Sequence, residues 1–273
     1  MNVYLRELRS QARAFLVWAA VLAFFVVVGT YKFTGMQGEA GDQAMQLLES
    51  FPRPVLAMFG LAATNAMKFG GFFAMIEFYA VLIASAWALG LGHAVVSREI
   101  VDGTDEFLFT KPVSRVRVLA EKLAAALTLL VAMTCANALS AAGAVGALGD
   151  SVGGAGGQTG GELFAIVAAG SAWVLLSGLF FLALGVALAA LVGSAGLASR
   201  CGLSLLACAY AASVAYDLFA DKASWLRALS PIRYLGMDDV AHGVVTATGA
   251  AALVALAAAG LAAGTWAFAR RDL

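Results

Sequence analysis

Six long apolar runs divide this chain, near residues 14–31, 71–96, 123–148, 163–192, 201–219 and 244–268. Each approaches or exceeds the roughly 20 residues that an α-helix needs to cross a bilayer. Hydrocarbon offers no water to satisfy a peptide N–H or C=O, so only helices and closed barrels survive there. A barrel would be written as alternating segments of about ten residues, and none is visible. The runs predict an all-α polytopic membrane protein, with six transmembrane helices in one domain over residues 1–273. Composition agrees: 12% of the residues are charged, against about 25% in ordinary soluble domains. Zero net charge argues against a nucleic-acid partner.

The cations sort the connections onto two sides. The N-terminus, residues 97–122, Arg200 and Arg270–Arg271 would share one side. That side then holds Arg6, Arg9, Arg13, Arg98, Lys111, Arg115, Arg117, Lys122, Arg200, Arg270 and Arg271, eleven of the 17 Lys and Arg. The other side holds Lys32, Arg53, Lys68, Lys222, Arg227 and Arg233. The positive-inside rule assigns the richer side, with both termini, to the cytoplasm. An even number of spans requires the termini to lie together.

The flanks refine this picture. Three arginines ahead of an apolar run resemble a secretory signal, but no A-x-A-like site follows, which predicts an uncleaved first helix. Over residues 3–15, Arg6, Arg9 and Arg13 share one helical face while Leu5, Leu8, Ala12 and Phe15 share another. This suits either an amphipathic helix in the cytoplasmic interface or an ordinary positive flank. On the outer side, residues 43–50 suit a short interfacial helix broken at Pro52 and Pro54. Residues 150–162 are a glycine-rich linker. Residues 217–242 mix charges, aromatics and Pro231, and are expected to fold back with Trp225 and Tyr234 at headgroup depth.

Between the second and third runs lies a charged island, residues 97–122. It holds Glu99, Asp102, Asp105, Glu106 and Glu121, with Arg98, Lys111, Arg115, Arg117 and Lys122. Asp102 or Thr104 can cap a short helix over 105–109, since acids suit the first helical turn. The residue before Pro112 resists helical geometry, which ends that helix at Lys111. Ser114 can cap the third span, and Arg115, Arg117 and Lys122 can anchor its cytoplasmic end. Phe107 and Leu108 add apolar contact beside the acids, so the island reads as a surface for a cytosolic partner.

The order Glu99, Gly103–Thr104, Glu106, Leu108, Pro112–Val113–Ser114–Arg115 and Lys122 resembles the signature of ABC-2 type transporter permeases. Residues 230–236 (SPIRYLG) and 268–273 (FARRDL) are weaker matches. The resemblance implies a permease subunit, driving export with a separate ATPase and itself not an enzyme. It implies that the island includes a coupling helix, with Arg98, Glu99, Asp102, Gly103, Thr104, Asp105, Glu106, Phe107 and Leu108 docked on a cytoplasmic ATPase. It makes residues 3–15 an elbow helix and residues before the sixth span re-entrant helices. It further implies a second permease copy, identical or homologous, surrounding lipid, and a bacterial or archaeal cytoplasmic membrane. ATP and Mg would sit on the partner subunit, with no cofactor in this chain. No G-x4-G-K-[ST] is present, so this chain has no P-loop of its own.

Other candidates are thinner. Glu77 is the one acid well inside a run, and a charge there is expensive. It can contact a cationic substrate or a proton, or be satisfied by a neighbouring helix. An ATP-independent carrier or channel working through Glu77, or a membrane scaffold without transport, are the alternatives to the permease. His93 is expected to be helix-terminal and partly wet. Thr134, Asn137 and Ser140 are expected to join helices, and Gly260 with Gly264 to allow a close helix contact. Cys135, Cys201 and Cys208 read as small packing residues, with no disulfide framework or metal spacing. His242 beside Asp238 and Asp239 reads as a loop. The spans do not select a substrate.

Overall fold

The computed structural model describes residues 3–36, 41, 43, 46–47, 50–61, 65–66, 68–102, 115–149, 158–192, 194–219 and 222–270. Among these, all regular structure is helical. The helices are α1 (Val3–Lys32), α2 (Arg53–Met58), α3 (Phe69–Asp102), α4 (Arg115–Leu148), α5 (Gly160–Val192), α6 (Ala195–Phe219), α7 (Leu226–Leu229), α8 (Met237–Ala241) and α9 (Ala247–Arg270). Short 3₁₀ turns follow at Phe33–Met36 and Pro231–Tyr234. Six helices are long and apolar enough to cross a membrane, namely α1, α3, α4, α5, α6 and α9. The six expected spans are therefore present.

Two of them form the interior. The most apolar stretch of α3 is 72% buried and that of α5 is 61%, against 22–33% for the other four. α3 and α5 run side by side in the same direction, with Gly70 against Ile166, Glu77 against Gly170 and Leu89 against Gly185, and α9 packs along α5. α1 lies chiefly on α4, and α6 covers α3 and α5.

Small residues permit the α3–α5 approach. A Cβ placed on Gly92 would collide with the Leu182 carbonyl, and one on Gly185 with the Leu89 carbonyl. Helices this close gain dispersion contacts along their backbones, the main attraction available where lipid is as apolar as leucine. The expected Gly260–Gly264 contact is seen on the other face of α5. A Cβ on Gly264 would stand 2.9 Å from Val186 Cγ1, and one on Gly260 3.4 Å from Ala183.

Helix limits depart from the hydropathy reading at the end that carries both termini. α3 continues through Ser97 to Asp102, and α4 begins at Arg115, ahead of the apolar run. Residues 97–102 therefore extend the second span as helix beyond its apolar run, and 115–122 are helical, as a third span capped at residue 114 requires. The physical reason is that a helix satisfies its own backbone whether lipid or water surrounds it. At 34 residues each, α3 and α4 are about 51 Å long, well beyond a hydrocarbon core of about 30 Å. Residues 3–15 are helical as expected, and run without a break into the first span as α1. The expected helix at 43–50 falls largely outside the described residues.

Candidate functional site

Polar groups gather at three levels of the bundle. At the terminal end, α3 and α4 are tied by Lys122, whose side chain is only 2% exposed. Its Nζ donates to the Val95 carbonyl at 2.6 Å. A buried ammonium so placed satisfies a carbonyl in the last turns of α3 and complements the negative end of that helix. On the preceding residue of α4, Glu121 Oε2 accepts from the Val3 amide at 3.1 Å, while Oε1 accepts from Arg117 Nε at 3.3 Å. Tyr4 Oη lies 3.1 Å from Thr128 Oγ1. The start of α1 is thus latched onto the start of α4, beside the tie that Lys122 makes to α3.

Arg98, Glu99 and Asp102 occupy the last turns of α3, and Arg115 opens α4. Gly103, Thr104, Asp105, Glu106, Phe107, Leu108, Pro112 and Ser114, with the expected helix over 105–109, lie outside the described residues. The two helix ends that frame this segment, Asp102 and Arg115, belong to α3 and α4.

In the interior, Glu77 is fully buried. Asn137 of α4 donates through Nδ2 to both carboxyl oxygens, each at 3.2 Å. Gly170 of α5 backs it so closely that a Cβ there would stand 2.7 Å from Glu77 Cγ. Of the expected helix-joining residues, Asn137 does bridge helices. Thr134 and Ser140 do not: each hydroxyl donates within α4, to the carbonyls of Leu130 and Ala136. An i−4 carbonyl is always within reach of a helical hydroxyl, so it outcompetes a neighbouring helix. His93 is drier than expected, 9% exposed, with both ring nitrogens unpartnered and Gly202 of α6 close against it. Cys135 and Cys208 face outward on the single chain and do not pack inside it.

At the far end, residues 226–241 fold back onto the bundle as expected. Ile232, Leu235, Met237 and Val240 are inserted in the core, and Trp173 Nε1 of α5 donates to the Ile232 carbonyl at 2.8 Å. Arg233 is the surprise. Its guanidinium is 3% exposed, pairs with Asp217 at the end of α6, donates to Ser213 Oγ at 2.8 Å and sits 5.2 Å over the Phe78 ring of α3. Burial works against its charge and lowers its pKa, while Asp217 opposes that shift. Ser230 Oγ donates to the Ala209 carbonyl at 2.8 Å. Met58 supplies one carbonyl that accepts from both Tyr79 and Tyr210. Trp225 is exposed at this end, as interfacial placement requires.

A cavity of about 230 Å³ opens beside this segment, lined by Lys68, Glu162, Asp238 and His242 among others. Glu162 is committed to the Thr159 amide and hydroxyl at the start of α5, a capping arrangement. His242 Nδ1 lies 2.7 Å from the Asp238 carbonyl oxygen. Among the described residues no group of three metal-ligating side chains is assembled, so the cavity offers polar contact without a coordination set.

The description that fits this layout comes from family comparison. The family model for ABC-2 family transporter proteins matches residues 1–273, the whole chain. The chain belongs to the ABC-2 transporter family. No curated protein matches it. As an ABC-2 family protein it is an integral membrane protein and a transmembrane permease component of a transporter. In this ABC-2 chain, Asn137 as the partner of Glu77, and Arg233 with Asp217, escaped the sequence reading. The available signal was their chemistry alone: a polar residue in an apolar run, or a charge carried into the bundle, must find a partner, but its partner's position is not written in the spacing.

Proposed function

We propose that this permease works as an exporter driven by a separate ATP-binding subunit that docks on the segment between α3 and α4. The observation that carries the reading is the family match over the whole chain, together with the charged signature at the tips of the longest helix hairpin. In this reading both termini lie in the cytoplasm, and Arg98, Glu99, Asp102 and Gly103–Leu108 form the contact with the ATPase. Pro112, Ser114 and Arg115 set the return into α4. Closure of two ATPases on ATP presses on the hairpin tips. Lys122 and Glu121 pass that push to α3, α4 and α1 together, since they bond all three. Two permease copies, identical or homologous, complete the assembly in the cytoplasmic membrane. ATP and Mg are held by the ATPase.

The test is co-purification with a candidate P-loop ATPase, followed by charge reversal at Glu99 and Glu106. The reversed protein should lose most of the bound ATPase and the transport-coupled part of ATP hydrolysis. Unchanged assembly and coupling would remove these acids from the contact. Transport by this chain alone in liposomes, abolished by Glu77→Gln, would instead favour an ATP-independent carrier.

A further inference from the structure

α3 and α4 carry the segment 103–114 between them, yet each packs mainly on another helix, α3 on α5 and α4 on α1. Polar bonds tie the two arms at both levels, Lys122 to Val95 near the terminal end and Asn137 to Glu77 deeper in. The deeper tie has an unusual balance of donors and acceptors. Glu77 is fully buried and no charged side chain acts on it among the described residues. From α4 it meets the uncharged Asn137, from α5 the bare backbone of Gly170, and from its own helix the Phe73 ring packs at the same place. A carboxylate there would be an anion in a dry site with one amide nitrogen for company, a loss of several kcal/mol. At the same time Asn137 Oδ1 is buried with no donor.

One proton removes both deficits. Asn137 Nδ2 lies 3.2 Å from both carboxyl oxygens, and a neutral Glu77 adds the donor the pair lacks: an O–H that Oδ1 accepts once the amide turns toward it, while Nδ2 keeps the other carboxyl oxygen. We propose that Glu77 and Asn137 form a proton-binding site, occupied while α4 rests against α3 and emptied when the arms part. On parting, water entering the seam takes the proton from the carboxyl group and hydrates the carboxylate left behind. Re-closure expels the water and takes one proton back. The occupied resting site stands on geometry alone; its emptying rests on the ATPase-driven reading of the hairpin.

Infrared difference spectra of the full chain in lipid nanodiscs, wild type minus Glu77→Gln at pH 7, test the resting site. A protonated-carboxyl C=O band that shifts in D2O and moves in Asn137→Ala is expected. Carboxylate bands alone would overturn the site. Folding is read beside it by thermal unfolding. Glu77→Gln, which keeps the neutral shape and both hydrogen-bonding functions, should hold the wild-type midpoint, while Glu77→Ala falls below it. A Glu77→Gln protein as unstable as Glu77→Ala would mean that the charge is required, which contradicts the proposal. For the emptying step, the same spectra are taken on the complex with its ATPase trapped by a non-hydrolysable ATP analogue. Loss of the acid band and growth of carboxylate bands is expected, and a persistent acid band overturns the step. Failure of any ATPase to assemble is read separately and leaves the single-chain spectra to decide the site.

Discussion

Arg233 and Asp217 place opposite charges where almost no solvent reaches them. Two long-range consequences follow from that one pair. Removing either charge strands the other, so Arg233→Met or Asp217→Leu should each destabilise the protein by about 3–5 kcal/mol. The double variant Arg233→Met/Asp217→Leu should recover much of the loss, because two apolar side chains leave no unpaired charge. Thermal unfolding of the three proteins in one detergent checks this, and a double variant as weak as the singles would refute it. Residue pairs of this kind were the least legible part of the chain. Glu77 could be singled out from its depth, and Asn137 from its chemistry, but 60 residues separate them. A lone polar residue in an apolar run reveals how deep it lies and not the direction in which it points. Apolar runs without a marked amphipathic face carry little azimuthal information.

At the level of helices, the sequence was far more informative. Apolar length located every span, because insertion into lipid depends on the summed transfer energy of about 20 side chains. Apolar length alone stops short where helix and hydrocarbon part company, as at Arg98–Asp102. Small residues within the spans turn out to have unequal roles. Gly90 has open space where a Cβ would go, whereas two residues later Gly92 lies on the carbonyl of Leu182. Gly90→Ala should therefore be neutral or raise stability by up to about 1 kcal/mol through helix propensity. Gly92→Ala should push α3 from α5 and lower stability by about 1–3 kcal/mol or more. Unfolding midpoints that move equally for the two variants would contradict the described α3–α5 contact.

For the whole molecule, the packing divides into a tightly joined group of α3, α5 and α9 and a pair, α1 with α4, that leans on it. The proposed ATPase contact spans the joint between them, since α3 belongs to the first and α4 to the second. Sequence patterning carried no sign of this division, which depends on which glycines find a neighbouring backbone.

One further consequence lies in the unequal lengths of the spans. α6 and α9 have 25 and 24 residues, about 36–38 Å, while α3 and α4 run far past the lipid. The short helices are the ones with least length beyond a core of about 30 Å, so they set the bilayer thickness the protein prefers. A thicker membrane must thin around them or draw them upright, and a thinner one must tilt them, at fractions of a kcal/mol per Å. Coupled ATP hydrolysis in vesicles of graded acyl-chain length should peak at an intermediate length and fall on both sides; a flat response would refute this. Membrane composition then acts on the transporter as an elastic load, tuning it without any lipid-specific site.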